Sequence, residues 1–177
     1  MQKRNTALFK RILVPLDGSG LAERALEPAI RMAQADDAEL ILLRIAAHKG
    51  ARLSEGGVYS YLRWNELVES EQQEAVDYLE RVEQTKIPRA VPARVLVLDG
   101  DEAGAIVDTA ASEDVDLIIM STHGRSGPRR WILGSVTEKV LREAPCPVLV
   151  IRPEDELAAP RKVGSVGEST AHIDRAG

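Results

Sequence analysis

The stretch Leu117–Arg152 reads LIIMSTHGRSGPRRWILGSVTEKVLREAPCPVLVIR. The apolar run Asp116–Met120 breaks abruptly into Ser121-Thr122-His123-Gly124. Nine residues separate Gly124 from Gly134-Ser135, after which come a helix-like segment, Pro145 and Pro147 around Cys146, and a second apolar run, Val148–Ile151. The order is strand, glycine-bearing loop, helix, strand. Short apolar runs bounded by turn signals suit buried parallel strands, although periodicity alone does not separate them from buried helix.

The start of that helix carries the most chemistry. Ser135-Val136-Thr137-Glu138 has the form of a capping box, with Ser135 accepting from the third helical N–H and Glu138 reaching back. Gly134 leaves the backbone ahead of it unshielded. A helix N-terminus presents unpaired N–H groups and a partial positive charge, so it attracts anions. Arg125, Arg129 and Arg130 lie in the loop that leads to it. The plainer reading is that Ser135 only caps its helix and the arginines are solvated. Glycine, hydroxyl, helix end and arginines together favour an anion site, and a phosphate above all.

The pattern Met120-Ser121-x-x-Gly124, nine residues, Gly134-Ser135 resembles the nucleotide-binding signature of the universal stress protein family. In its ATP-binding members a glycine, two residues, a glycine and nine residues precede a glycine followed by serine or threonine. Every interval agrees, and Ser121 stands where the first glycine would be, adding a Cβ and a hydroxyl. The resemblance covers residues 9–153. It implies a five-stranded sheet in the order 3-2-1-4-5, and ATP, or else AMP or ADP, as ligand. Pro15, Leu16 and Asp17 would form the adenosine side, Ile45 would lie against adenine, and Met120 would line base and ribose. Ser121, Gly124, Arg125, Gly134, Ser135, Val136 and Thr137 would surround the phosphates, which themselves would hold any Mg2+ or Mn2+. Family members pair as homodimers, often through the final strand, here Val148–Ile151. The function so implied is that of a stress-response sensor or regulatory module. Two alternatives stay open: a nucleotide-free protein-interaction module, and a slow ATP hydrolase or phosphotransfer enzyme using His123.

The rest of the chain agrees with an α/β class. With 177 residues, 44% hydrophobic and 29% charged, it suits one soluble domain with length to spare. A net charge of −5 argues against nonspecific binding to nucleic acid or membrane surfaces. Aromatic content of 3% disfavours a base-stacking platform. One cysteine permits no internal disulfide and favours the cytoplasm, and no apolar run is long enough to span a bilayer. The basic N-terminus lacks the features of a signal peptide.

Strands are expected at Arg11–Leu16, Glu39–Ala46, Ala93–Leu98, Asp116–Ser121 and Val148–Ile151. Helices are expected at Leu21–Asp36, bent at Pro28 and capped by Ser19, at Tyr61–Lys86 with Trp64, Val68, Ala75, Leu79 and Val82 inward, and at Glu102–Ala111 with Ile106, Val107 and Ala110 inward. A glycine-bearing loop should occupy 48–60. Residues 1–8 read as a loose lead-in, 9–153 as the domain and 154–177 as a disordered tail. Alternating strands and helices argue for a doubly wound parallel sheet with helices on both faces, a Rossmann-like layout.

Several chemistries drop out. There is no GxxxxGK[ST], and Gly18-Ser19-Gly20 is followed by Glu23 where a dinucleotide fingerprint needs glycine. No zinc-ligand spacing occurs. The carboxylates of the long helix read as a solvated face, and Cys146 as a packed residue. Asp17 can accept from ribose hydroxyls or an adenine amino group, or simply build the Asp17-Gly18-Ser19 turn.

Overall fold

Apolar runs of four to eight residues, each followed by a helical segment, build a sheet whose strands are buried on both faces. The computed structural model describes residues 7–46, 57–122 and 133–152. Its elements are β1 (Arg11–Pro15), a 3-10 turn (Ala22–Ala25), α1 (Leu26–Asp36), β2 (Glu39–Ala46), α2 (Gly57–Lys86), β3 (Ala93–Asp99), α3 (Glu102–Ser112), β4 (Leu117–Ser121), α4 (Ser135–Glu143) and β5 (Val148–Ile151). The five strands run β3-β2-β1-β4-β5, every pairing parallel, in the expected order.

Side chains alternate between two cores. Ile12, Val14, Leu40, Leu42 and Ile119 face α1 and α2, where Ala29, Ala33, Leu79 and Val82 meet them. Leu13, Ile41, Leu43, Ile118 and Met120 face α3 and α4, against Ile106, Ala110 and Val140. Each fully buried Leu or Ile contributes about 1.5–3 kcal/mol, so these central strands carry most of the stability.

Two helices differ from expectation. The segment 21–36 is a 3-10 turn that becomes α1 at Leu26, so Pro28 stands in the first turn of α1, where an N–H has no intrahelical acceptor to lose. The interruption precedes the proline. α2 begins at Gly57, which shortens the expected loop; 47–56 lie outside the described residues. Ala75, Leu79 and Val82 are buried on its stripe as expected, and Tyr78 joins them. The Trp64 side chain lies outside the described ones.

The end of the sheet where the strands begin is fastened by charge. Asp36 accepts from the Leu8 and Phe9 N–H groups, and Asp116 from those of Lys10 and Arg11. Arg94 bridges Glu39 at 3.2 Å and Glu113 at 2.6 Å. The expected lead-in is therefore tied from Leu8 onward, and residues 1–6 and 153–177 lie outside the described residues.

At the opposite end, Asp101 caps α3 by accepting from the Gly104 N–H at 2.9 Å, and Lys139 of α4 donates to the same oxygen at 2.8 Å. The Lys139 hydrogen bond and the Gly104 N–H hold the Asp101 carboxyl below its ordinary 3.8, while Asp101 raises Lys139 above 10.5. A depressed carboxyl stabilises the fold above its unfolded value and stops doing so as pH falls through its folded value. Asp101→Asn keeps a cap acceptor but removes the charge. It should lower the thermal midpoint slightly at pH 7, and the gap from the parent should close once the pH drops below 3.8. A gap that persists in acid would show that the charge is not its source.

Candidate functional site

Pro15 opens the sheet. Glu39 N–H donates to the Lys10 carbonyl and Leu16 N–H to the Leu43 carbonyl, so even-numbered residues of this segment bond toward β2. Odd-numbered residues face β4, and Pro15 has no N–H to offer there. The β1–β4 register stops at Leu13↔Ile118, while β1–β2 continues to Pro15↔Leu43 and β4–β5 to Ser121↔Ile151. Beyond that level β1 and β4 part. The crevice lies where strand order reverses, at the strands' C-terminal ends, the place where α/β sheets receive ligands.

On the β1 side, Asp17 Oδ1 accepts from the Ser19 N–H at 2.8 Å, in a turn made possible by Gly18 at φ +85°. Ser19 Oγ accepts from the Ala22 N–H and so holds the turn, but the expected N-cap is corrected: Leu21 precedes the 3-10 turn and Ala25 precedes α1, and neither caps with its side chain. Pro15 is buried beneath this turn, and Leu16 is buried in the α1–α2 core.

On the β4 side, α4 is seated directly on the strand end. Gly134 N–H donates to the Thr122 carbonyl at 3.1 Å, and the Thr137 hydroxyl shares its proton between the Ser121 and Thr122 carbonyls at 3.2 and 3.3 Å. Thr122 and Thr137 are each only 3% exposed. A Cβ on residue 134 would stand 3.1 Å from the Thr122 oxygen, tighter than ordinary contact, so glycine is what lets the helix come this close.

This corrects the capping box. The N-cap is Gly134, extended at φ −60°, ψ 148°, and its carbonyl accepts the first helical bond from Glu138. Ser135 is the first helical residue and exposed; no side chain caps α4. Val136 packs toward the α3–α4 core. The first-turn N–H groups of Ser135, Val136 and Thr137 have no acceptors within the helix, and the positive end of the helix dipole lies there, next to the end of β4.

Met120 is buried and Ile45 half-buried in the α3–α4 core, on the same side of the sheet as α4. Gly124 and Arg125, with His123, Arg129 and Arg130, lie outside the described residues. Among the described residues no group of three or more His, Cys, Asp or Glu could hold a metal ion, and no helix is long and apolar enough to cross a membrane. Cys146 is partly buried, which raises its thiol above the ordinary value and leaves it poorly nucleophilic.

A polar network beside the crevice has no counterpart in the sequence reading. Glu23, in the 3-10 turn, accepts from the Tyr78 hydroxyl at 3.0 Å and from Lys86, both of α2. The Arg44 guanidinium lies 4.7 Å from the Tyr78 ring centre. Burial, then the Glu23 bond, pushes the Tyr78 hydroxyl well above its usual range, so it stays a donor. The network ties α2 to the turn that follows Asp17. Its members are 55 and 63 residues apart in sequence, so no local pattern announces them.

The sequence model of the universal stress protein family matches residues 8–152. The chain belongs to the universal stress protein family. It is 35% identical over 146 residues to universal stress protein MJ0531 of Methanocaldococcus jannaschii, covering 82% of this chain and 83% of that one. The solved universal stress protein UspA from Lactobacillus plantarum superposes with a TM-score of 0.69 at 29% identity, over 81% of this chain and 97% of that one. More distant universal stress proteins share the fold. One solved in complex with cAMP has a TM-score of 0.52 at 24% identity, covering 81% of this chain and 96% of its own. An Arabidopsis thaliana member with AMP bound has a TM-score of 0.54 at 14% identity, covering 86% and 97%.

Proposed function

We propose that this chain binds ATP, or a related adenine nucleotide, in the crevice between β1 and β4 and acts as a cytoplasmic sensor or regulatory module in a stress response. The observation that carries this reading is the seating of α4: its glycine N-cap and uncapped first turn sit on the strand end, beside the place where Pro15 parts the sheet. Such a wall offers backbone N–H groups and a helix dipole to phosphate oxygens. Across the gap, Asp17 offers carboxylate oxygens that suit ribose hydroxyls or an amino group. Met120 and Ile45 supply apolar surface on the α4 side. Two more distant family members hold AMP and cAMP, which fits an adenine ligand.

In this reading Gly124, Arg125 and Ser135 complete the phosphate side, and a bound Mg2+ or Mn2+ takes its ligands mainly from the phosphates. β5 is an edge strand with half-buried Val148–Ile151, able to pair with a second copy as a homodimer. The work is binding rather than turnover. Calorimetric titration of ATP and AMP into protein stripped of nucleotide should give saturable, one-site binding. A silent titration with folded protein would sink the proposal and leave the nucleotide-free interaction module in its place.

A further inference from the structure

The turn that follows Asp17 is weakly held by its own backbone. Glu23 N–H reaches the Ser19 carbonyl at 3.3 Å and Arg24 N–H the Leu21 carbonyl at 3.2 Å, at or beyond the long end of ordinary N–H···O bonds. A single 3-10 turn has poor hydrogen-bond geometry to begin with. Its firmest polar hold comes from α2.

Hydrogen bonds run without a break from Asp17 to that helix. Asp17 Oδ1 accepts from the Ser19 N–H, Ser19 accepts from the Ala22 and Glu23 N–H groups, and the Glu23 carboxylate accepts from Tyr78 and Lys86. The far end of this chain is fixed. Tyr78 is buried on α2 beside Leu79 in the α1–α2 core, with the Arg44 guanidinium of β2 at its ring. Lys86 is half-exposed, and exposed ion pairs contribute little, so the phenol makes the directional contact. Burial and the Glu23 bond raise the Tyr78 hydroxyl most, and the Asp17 charge adds to that rise, which places the two within electrostatic reach.

We propose that Tyr78 is a positioning residue for the crevice: through Glu23 and Ser19 it fixes the turn that presents Asp17 to the nucleoside part of a ligand. Tyr78 itself touches no ligand and acts only through the geometry of that turn. The inference rests on the nucleotide reading above. It makes α2, which forms no wall of the crevice, a determinant of affinity there.

The test joins amide hydrogen exchange of the free full chain to calorimetric titration with ATP, in the parent, Tyr78→Phe and Glu23→Ala. Tyr78→Phe removes the donor and Glu23→Ala the acceptor of one bond, so the two should behave alike. In both, the Ser19, Ala22 and Glu23 amides should exchange faster, while those of Gly134 and Glu138 on the other wall keep the parent's rates. ATP affinity should fall by about fivefold. A merely structural role gives a lower urea midpoint with parent affinity in the folded variants, and that result overturns the proposal. So does unchanged exchange at Ser19, or a loss confined to one of the two variants. Silence with ATP from the folded parent overturns the nucleotide reading, and this inference falls with it whatever the exchange rates.

Discussion

Gly134→Trp should abolish nucleotide binding and leave the chain folded. Even a single added carbon at 134 would meet the Thr122 carbonyl at 3.1 Å, so the backbone of α4 would have to lift from β4 by a few tenths of an ångström. An indole cannot stay within that gap and must spread over the first turn, covering the N–H groups that a phosphate would use. Overpacking of this kind costs about 1–3 kcal/mol, small against a core of fully buried Ile12, Leu42, Leu79 and Ile118. Gly134→Ala is the graded control, with weaker but measurable binding. Circular dichroism and urea midpoints establish folding; titration establishes binding. Parent-like affinity in a folded Gly134→Trp protein would show that the ligand, if any, binds elsewhere.

Thr137→Val should be the most damaging conservative change near the crevice. Valine keeps the shape and removes the hydroxyl that serves two buried carbonyls, Ser121 and Thr122. The Thr122 oxygen keeps the Gly134 N–H at 3.1 Å, whereas no other donor to the Ser121 oxygen is seen among the described residues. Leaving a buried acceptor unpaired costs about 1–3 kcal/mol, read as a lower urea midpoint at unchanged slope. Because the same bonds hold α4 against the strand, nucleotide affinity should fall too. Thr137→Ser, which keeps the donor, should restore most of both. A Thr137→Val protein as stable as its parent would mean that these long shared bonds contribute nothing.

The sheet was legible in the sequence because its strands are buried on both faces. Glu39–Ala46 is apolar apart from Glu39 and Arg44, Val148–Ile151 is wholly apolar, and their observed bounds are those the runs suggest. The cap of α4 was misread by one residue for a physical reason. Ser135 with Glu138 satisfies the local capping pattern, whereas glycine at the true N-cap has no side chain to signal it, and the decision comes from close approach to a carbonyl on another element. Pro28 misled in the same way, since a proline is harmless once the helix starts just before it. The Glu23–Tyr78–Lys86 network depends on α2 packing beside the 3-10 turn, which no window of sequence contains.

The clasp between α4 and β4 uses one backbone amide, one hydroxyl and two carbonyls, and none of these titrates or carries a net charge. The far end of the sheet, by contrast, is laced with Arg11, Arg94, Glu39 and Glu113. A surge of salt would therefore weaken the base of the molecule before it disturbed the contact between α4 and β4. On this side of the sheet it is the Asp101–Lys139 bridge from α3 to α4, and not the clasp itself, that answers to salt and acid.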